Sequence, residues 1–276
     1  MTKIIADSSC DIFQMEGADF AAAPMLICTD RKTYTDDKDL NITEMLDHLA
    51  SLKEKTGTSC PSPDSWLRAF GEADTIFIAT LTSALSGTFH SAQVARELYL
   101  QTHPHAKIHV FDSRSTGPEL LLLVEKLAEL AKQGLDFSQI CQKAEAYLQK
   151  TRLICSLSSL HNMAQNGRVS KVLAKAVGIL GLRIIITASP EGTLEPIEKS
   201  RGDKKAMDSM LQQMIKAGYS GGKVRINHTE NPSAATSLRE KILSKFPHAD
   251  VLCYVARGLC SYYAERGSVM MGFETA

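Results

Sequence analysis

The chain has 276 residues, and its 31 basic and 31 acidic residues give a formal net charge of zero. This length is typical of two modest domains or one large domain, and a chain of this size can bury a core without disulfide or metal staples. The balanced charge argues against general nucleic-acid binding, which requires a positive face, and no polybasic tract indicates binding to an anionic membrane surface.

Seven cysteines occur with no Cys-x-x-Cys pair and no cysteine–histidine spacing of the zinc type. Asp7 interrupts the apolar core that a secretory signal peptide would need. The longest apolar runs extend for about six residues, whereas a membrane span needs about twenty. We therefore expect a cytoplasmic protein with reduced cysteines, no bound metal and no transmembrane segment.

Short apolar runs rich in β-forming residues alternate with longer amphipathic stretches, which is typical of parallel α/β construction. In the first half these runs predict strands at residues 3–6, 25–29, 75–81, 107–111 and 153–156. In the second half they predict strands at residues 182–188, 224–227, 251–255 and 269–273. The sequence has no internal repeat.

Helix signals lie between these runs. After Thr116, the apolar residues Leu120, Val124, Leu127 and Ala131 recur at helical spacing and predict one apolar stripe. Further on, Asp136 opens a second helix and Asn231 caps a third beside Pro232. Gly134 and Gly218 stand just beyond predicted helix ends, where a left-handed residue commonly terminates a helix.

The two halves of the chain differ in the order of their predicted strands and helices. Residues 1–155 carry strand–helix units of the doubly wound type. After residue 156 we predict two short helical pieces, a β-hairpin over residues 188–202 and two further helix–strand units. We therefore predict two domains that meet face to face, with a boundary near residues 156–159.

Hydroxyl side chains cluster just before one predicted helix. Ser62 and Pro63 are good residues for a helix N-cap and first turn, and Thr58 and Ser59 lie directly upstream. A helix N-terminus with added hydroxyl donors can hold a carboxylate or a phosphate. The alternative is an ordinary capped turn.

A second polar segment, residues 82–90, follows the predicted strand at 75–81. Ligands of open α/β sheets collect beyond the carboxyl ends of strands, so the Ser86 hydroxyl could meet an anion there. Gly87 would allow a ligand or a neighbouring backbone to approach closely. The alternative is that Thr82 or Ser83 caps the following helix and that Ser86 has no role.

Ser86, His90 and Asp112 also suggest a hydrolase triad, but two features of the sequence argue against it. No Gly-x-Ser-x-Gly elbow is present, and Ser86 and His90 stand four residues apart on one predicted helical turn. That spacing places the histidine along the helix rather than in front of the serine.

The second half of the chain has a cationic side. Arg168 follows Gly167 in a turn, a setting where functional residues concentrate. The other members are Lys171, Lys175, Arg183, Lys199 and Arg201. The alternative for the lysines is a solvated basic face. Neither a P-loop nor a Gly-x-Gly-x-x-Gly motif occurs, so we predict no nucleotide site.

Taken together, these segments resemble the DegV family of bacterial fatty-acid-binding proteins. The matching motifs run in family order along nearly the whole chain: IADSS at residues 5–9, TSCPS at 58–62, LSGT at 85–88, DS at 112–113, GRVS at 167–170, and Arg201. The resemblance implies an α/β fold, with an N-terminal doubly wound α/β/α domain at 1–156, a C-terminal α+β domain at 157–276 and a ligand tunnel between them. It also implies that the carboxylate of a long-chain fatty acid is bound by Thr58 and Ser86, supported by Ser59 and Gly87.

Some DegV family members are the acyl-carrying subunit of a two-component fatty-acid kinase. Arg168 matches the arginine of the family's Gly-Arg-Ile-Ser segment, whereas Tyr263 stands where the family's late histidine would be expected. A tyrosine does not titrate near neutral pH as an imidazole does, although Arg266 could supply positive charge. With Arg201, these residues are expected at the tunnel mouth or facing a partner.

We therefore predict a fatty-acid carrier that catalyses nothing by itself and needs no cofactor besides its bound ligand. The alternatives are the substrate subunit of a fatty-acid kinase complex and, with less support, a serine hydrolase.

Overall fold

The computed structural model describes residues 2–170 and 181–276. In those residues the strands are β1 (Thr2–Asp7), β2 (Phe20–Ala23), β3 (Leu26–Cys28), β4 (Thr33–Thr35), β5 (Gly57–Ser59), β6 (Thr75–Thr80), β7 (Lys107–Asp112), β8 (Thr151–Leu157), β9 (Leu182–Ala188), β10 (Leu194–Arg201), β11 (Lys223–His228), β12 (Asp250–Val255) and β13 (Val269–Glu274). The helices there are α1 (Ile42–Ser51), α2 (Pro63–Phe70), α3 (Thr88–Thr102), α4 (Gly117–Ala131), α5 (Phe137–Leu148), α6 (His161–Gln165), α7 (Gly202–Lys216), α8 (Pro232–Lys245) and α9 (Gly258–Ala264).

The first large sheet is parallel, with strand order β2-β1-β6-β7. Helices α2 and α3 cover one face, where Trp66, Phe70 and Tyr99 pack against the strands. Helices α4 and α5 cover the other face through residues such as Leu123 and Ile140. Because both faces are buried, the central strand β6 reads as a nearly continuous apolar run, TIFIAT. This is the doubly wound arrangement that the sequence predicts.

The second large sheet has six strands in the order β10-β9-β8-β13-β11-β12. Among these described strands only the β11–β12 pair is parallel, so this unit is of the α+β type. Helices α7 and α8 pack on one face through residues such as Met210 and Leu238. Helices α6 and α9 pack on the other face through Met163 and Ala264. The predicted fold class is confirmed.

A small antiparallel sheet, with strand order β4-β3-β5, belongs to the first half of the chain but lies against the second. Ile27 and Tyr34 of its strands share a core cluster with Met45 and Leu46 of α1 and with Tyr262 of α9. The sheet therefore places residues 57–59 next to α9.

Helix α4 lies between the two large sheets and joins the two units. It contacts β1 and β6 of the parallel sheet and β8, β11 and β13 of the six-stranded sheet. The run 120–124 is buried without interruption, as expected for a helical turn that packs against a sheet on both sides. The predicted stripe of Leu120, Val124, Leu127 and Ala131 therefore describes only one of its two packed faces.

Most predicted elements are present within one or two residues of their predicted ends. The predicted hairpin is formed by β9 and β10, and Asp136 and Asn231 cap α5 and α8. Gly134 and Gly218 follow helices α4 and α7 in the left-handed region, at φ 68° and 94°. The sequence analysis missed β2, β4, β5, α1 and α9. Of the two predicted short helical pieces, α6 is present, and the second lies outside the described residues.

The division into residues 1–156 and 157–276 remains a prediction. Hydrogen bonding places β8 in the six-stranded sheet, where it pairs with β13 and β9. We therefore propose that the boundary lies before β8, near residue 150, because a strand belongs with the sheet whose ladder it completes.

Across residues 2–170 and 181–276, no helix combines the length and the apolar character needed to cross a membrane. The longest helices in this part of the chain, α3, α4 and α7, have 15 residues each, whereas a span needs about twenty. The same residues contain no group of three or more His, Cys, Asp or Glu side chains arranged to hold a metal ion.

Candidate functional site

A cavity lies between the two units, with walls from the parallel-sheet unit, the six-stranded unit and helix α9. Its empty space amounts to about 560 Å³, a figure that includes the open solvent at its mouth. Most of the wall is apolar, with Met25, Leu81, Met163, Leu259 and Met270 among the lining residues. Such a lining suits an apolar chain rather than a polar metabolite.

Strand β5 brings one hydroxyl to this cavity. It pairs antiparallel with β3, which places Thr58 opposite Ile27. The Oγ1 of Thr58 lies 2.7 Å from the hydroxyl of Tyr263, and the Oγ1 of Thr56 lies 2.8 Å from the hydroxyl of Tyr262. These two pairs fix β5 against α9, with Thr58 and Tyr263 on the cavity wall.

Ser86 brings a second hydroxyl to the wall, from the loop between β6 and α3. Its Oγ lies 2.8 Å from Thr88 Oγ1 and accepts a hydrogen bond from the Thr88 backbone N–H at 3.3 Å. This short turn fixes the hydroxyl at the carboxyl end of β6, where the sequence predicts a ligand contact.

Arg168 brings positive charge to the same part of the cavity. Its Nε donates to the Leu85 carbonyl at 3.1 Å and its Nη1 donates to the Asn166 carbonyl at 2.5 Å. The guanidinium carbon lies 5.9 Å from the ring centre of Tyr263, within cation–π range. These carbonyls orient the guanidinium without neutralising it, so the site favours an anionic group.

Two buried carboxyl groups hold α9 in place. The Asp36 carboxylate accepts hydrogen bonds from the backbone N–H groups of Gly258 and Leu259, at 2.7 and 2.9 Å. Asp11 accepts a hydrogen bond from the Arg257 backbone N–H at 2.7 Å. Acidic groups are favourable at a helix N-terminus because its first N–H groups lack helical partners. The two aspartates thereby position the helix that carries Leu259 and Tyr263 to the cavity.

Burial raises the pKa values of these carboxyl groups because it disfavours the charged form. The pKa of Asp36 is raised to about 6 and that of Asp11 to about 7. Desolvation likewise raises the pKa of the Cys260 thiol well above its usual value. Cys260, which lines the cavity, is therefore a neutral thiol that behaves as a small hydrophobic group.

Four of the predicted site residues meet at one cavity: Thr58, Ser86, Arg168 and Tyr263. Ser59 and Gly87 are not part of the lining. Ser59 is exposed and donates to the Cys60 carbonyl at 3.3 Å. Gly87 precedes the first turn of α3 with φ −74°, an ordinary value for any residue. Both residues are sequence neighbours of wall residues, and their supporting role stays a prediction.

The structure places the other two predicted arginines away from this wall. Arg201 is exposed at the end of β10, whereas Leu194, at the start of that strand, lines the cavity. Six residues of strand lie between the two, which places them roughly 20 Å apart. Arg266 forms ion pairs with Asp47 at 2.6 Å and Glu230 at 2.8 Å. A partner-facing role for both arginines remains a prediction.

The cationic side is also divided. Arg183 forms an ion pair with Asp203 at 2.6 Å, and Lys199 is exposed on β10. Lys171 and Lys175, which the sequence analysis added to this side, lie outside the described residues.

The residues of the alternative triad are engaged elsewhere. The carboxylate of Asp112 accepts from the Ser83 backbone N–H at 3.1 Å and from the Ser83 hydroxyl at 2.5 Å. Ser86 is paired with Thr88, and the exposed His90 ring packs edge-on against Phe89. This geometry does not assemble a nucleophile with a base and does not support the hydrolase alternative.

The sequence analysis missed several lining residues. Thr116 belongs to the polar segment that follows β7, so its position at the carboxyl end of a strand was a usable signal. The thioethers of Met25, Met163 and Met270 gave no such signal, because a methionine at an apolar position predicts only a place in the hydrophobic core.

Comparison with known proteins places the chain in a family. The family model of DegV, described as an uncharacterised protein family, matches residues 1–275. A DegV domain-containing protein of Streptococcus pneumoniae serotype 4 is 42% identical over 276 residues, covering 99% of this chain and 98% of the relative.

Two solved structures are similar over the full length of both chains. A DegV family protein from Eubacterium eligens, loaded with heptadecanoic acid, has a TM-score of 0.98 and 48% identity. The Streptococcus pneumoniae Fatty Acid Kinase (Fak) B3 protein, loaded with linoleic acid, has a TM-score of 0.98 and 41% identity. The chain belongs to the DegV family.

Proposed function

We propose that this protein binds a long-chain fatty acid, with its carboxylate at Thr58 and Ser86 and its acyl chain in the cavity between the two units. One observation carries the proposal: in a mainly apolar cavity, four of the polar side chains on the wall form one connected cluster. Thr58 is bonded to Tyr263, whose ring lies beside the Arg168 guanidinium, and Arg168 is bonded to the residue before Ser86. An amphipathic carboxylate, with an apolar chain and a charged end, matches this combination of an apolar wall and one polar cluster.

The acyl chain and the carboxylate have different energetic roles. Each methylene removed from water contributes about 0.8 kcal/mol, whereas one hydrogen bond contributes a net 0.5–1.5 kcal/mol, roughly. A long acyl chain therefore supplies most of the affinity. The hydroxyls of Thr58 and Ser86 and the charge of Arg168 orient the ligand.

The ligand class is supported by the two similar structures, which are loaded with heptadecanoic and linoleic acid. We infer that the chain acts as a carrier in the cytoplasm, without a cofactor and without catalysis of its own. Its cysteines are free, and free cysteines are typical of a reducing compartment.

Removing the Ser86 hydroxyl is expected to weaken fatty-acid binding without affecting the fold. Ser86→Ala should raise the Kd by about twofold to tenfold, the effect of losing one hydrogen bond. Thr58→Val should act similarly, because it removes the hydroxyl and keeps the side-chain shape. Titration with cis-parinaric acid, a fluorescent long-chain fatty acid, measures both changes.

The matched control is Ser51→Ala, which removes an exposed hydroxyl bonded to the His48 carbonyl at the end of α1. Its Kd should equal that of the unmodified protein. If Ser86→Ala and Thr58→Val bind the probe as tightly as the control, the carboxylate does not lie at these hydroxyls.

The similarity to the Fak B3 protein favours a second role, as the acyl-carrying subunit of a two-component fatty-acid kinase. In that role a separate ATP-binding subunit transfers the terminal phosphoryl group of ATP to the bound carboxylate, giving acyl phosphate and ADP. Acyl phosphate should then form only when both the partner and ATP are present. Tyr263→His should raise the turnover if this position serves phosphoryl transfer, and formation without the partner would exclude the role.

A further inference from the structure

The tip of the β9–β10 hairpin, defined here as residues 188–194, separates two spaces. On one side Leu194 lines the cavity together with Ser86 and Thr116. On the other side Ser189 and Pro190 line an open groove of about 1200 Å³ that includes bulk solvent. Residues of the tip thus border both the cavity and the groove.

The tip is a preformed unit with its own hydrogen bonds. The Ser189 hydroxyl accepts from the backbone N–H groups of Glu191 and Thr193, both at 3.2 Å, and lies 2.9 Å from Thr193 Oγ1. The Gly192 backbone N–H donates to the Ser189 carbonyl at 2.9 Å. These bonds stay within the turn, so the tip can move as one body.

The ladder beneath the tip ends early. Pairing of β9 with β8 stops at Thr187, although β8 itself continues to Thr151, so the tip is not part of the ladder between these two strands. On its other arm, β10 is an edge strand with a register shift between Pro196 and Glu198. A bulge disrupts the ladder, and proline lacks a backbone donor, so both features weaken the hold of the sheet on the tip.

A close contact holds the tip against the parallel-sheet unit. Gly192 is buried at φ 82°, and a methyl group there would overlap the Thr82 side chain and lie 3.1 Å from the Arg114 Cα. Thr82 and Arg114 belong to the two loops that follow β6 and β7, which also carry Ser86 and Thr116. Contact of the tip with these loops therefore closes the cavity wall next to two of its hydroxyls, those of Ser86 and Thr116.

From this arrangement we propose that the hairpin tip is a gate for ligand exchange. Lifting the tip away from Thr82 joins the cavity to the groove and opens a path for the acyl chain, and seating it retains the ligand. This inference rests on the proposed fatty-acid function, because it assigns the route by which that ligand leaves.

The test compares two glycine substitutions in the same hairpin. Gly192→Ala adds a methyl group that overlaps Thr82, whereas Gly181→Ala, at the base of β9 with φ 75°, adds a methyl group with no atom within 4 Å. Both substitutions impose a similar backbone penalty, so any difference between them reports the tip contact. Release of cis-parinaric acid from preloaded protein is followed by fluorescence while excess oleate captures the empty sites. Gly192→Ala should speed release about tenfold relative to Gly181→Ala, mainly through the dissociation rate.

Equal release rates for the two variants would overturn the gate. If Gly192→Ala does not fold, Thr82→Ala decides instead, because it removes the side chain against which Gly192 packs. Thr82→Ala should speed release relative to the Ser51→Ala control. Equal release from these two variants would show that the ligand leaves without lifting the tip. Failure of the unmodified protein to bind the probe would instead refute the proposed function.

Discussion

Arg225→Met is expected to lower the free energy of unfolding by about 3–5 kcal/mol, the usual cost of breaking a buried ion pair from one side. The side chain of Arg225 is only 4% exposed and makes two bonds to the Glu125 carboxylate, at 2.7 and 2.9 Å. It also pairs with Asp250 at 2.9 Å. Because Glu125 lies on α4 and Arg225 on β11, the pair ties the central helix to the six-stranded sheet. Its loss leaves Glu125 with only the more distant Lys223 ammonium, at 3.4 Å, as a partner.

A double variant separates the effect of losing the ion pair from the effect of changing the side-chain volume. Arg225→Met combined with Glu125→Met should recover most of the loss, because neither charge then remains buried without its partner. Lys241→Met serves as the control, since Lys241 pairs with Asp208 at a more exposed position and should cost less than about 1 kcal/mol. Urea unfolding measures all three. A cost for Arg225→Met no larger than that of the control would contradict this assignment.

Gly272→Ala is expected to cost about 1–3 kcal/mol or more, as overpacking does in a core that cannot relax. An added methyl group would lie 2.5 Å from the Pro118 carbonyl carbon and would also overlap the Glu119 backbone nitrogen. These atoms belong to the first turn of α4, so β13 and that helix can come this close only without a side chain. The overlap can be relieved only by a shift of the backbone, because the atoms involved do not belong to a flexible side chain.

The control for this substitution is Gly87→Ala, where the nearest atom to an added methyl group is Cys60 Sγ at 3.6 Å. That is ordinary contact, and the loss there should stay below about 1 kcal/mol. Thermal unfolding of the two variants compares them directly. Similar melting temperatures would show that α4 does not press against β13 as closely as described.

The sequence predicted those elements that carry their own periodic or apolar signal. The run TIFIAT in β6 and the caps Asp136 and Asn231 act locally, so pattern and propensity suffice to find them. Strands β2, β4 and β5 have only three or four residues each and carry no period. Pairing with neighbouring strands defines them. Helix α9 was missed for a similar reason, because distant Asp11 and Asp36 hold its N-terminus.

The candidate site was partly predictable in the same sense. Ser86 follows a strong strand, and the general rule for open α/β sheets places it near a ligand. The distances between Thr58, Tyr263 and Arg168 could not be read from the chain, since they depend on β5 meeting α9 across the two units. Arg201 was included among the site residues because of a motif match. That match gave no information on which end of β10 faces the cavity.

The most direct test of the central claim is to identify what the purified protein carries. Protein expressed in bacteria is purified without detergent and denatured, and the released small molecules are quantified by mass spectrometry. The account predicts close to one long-chain fatty acid per chain, and less retention in Ser86→Ala. Protein that is empty, and that also fails to take up added long-chain fatty acids, would contradict it.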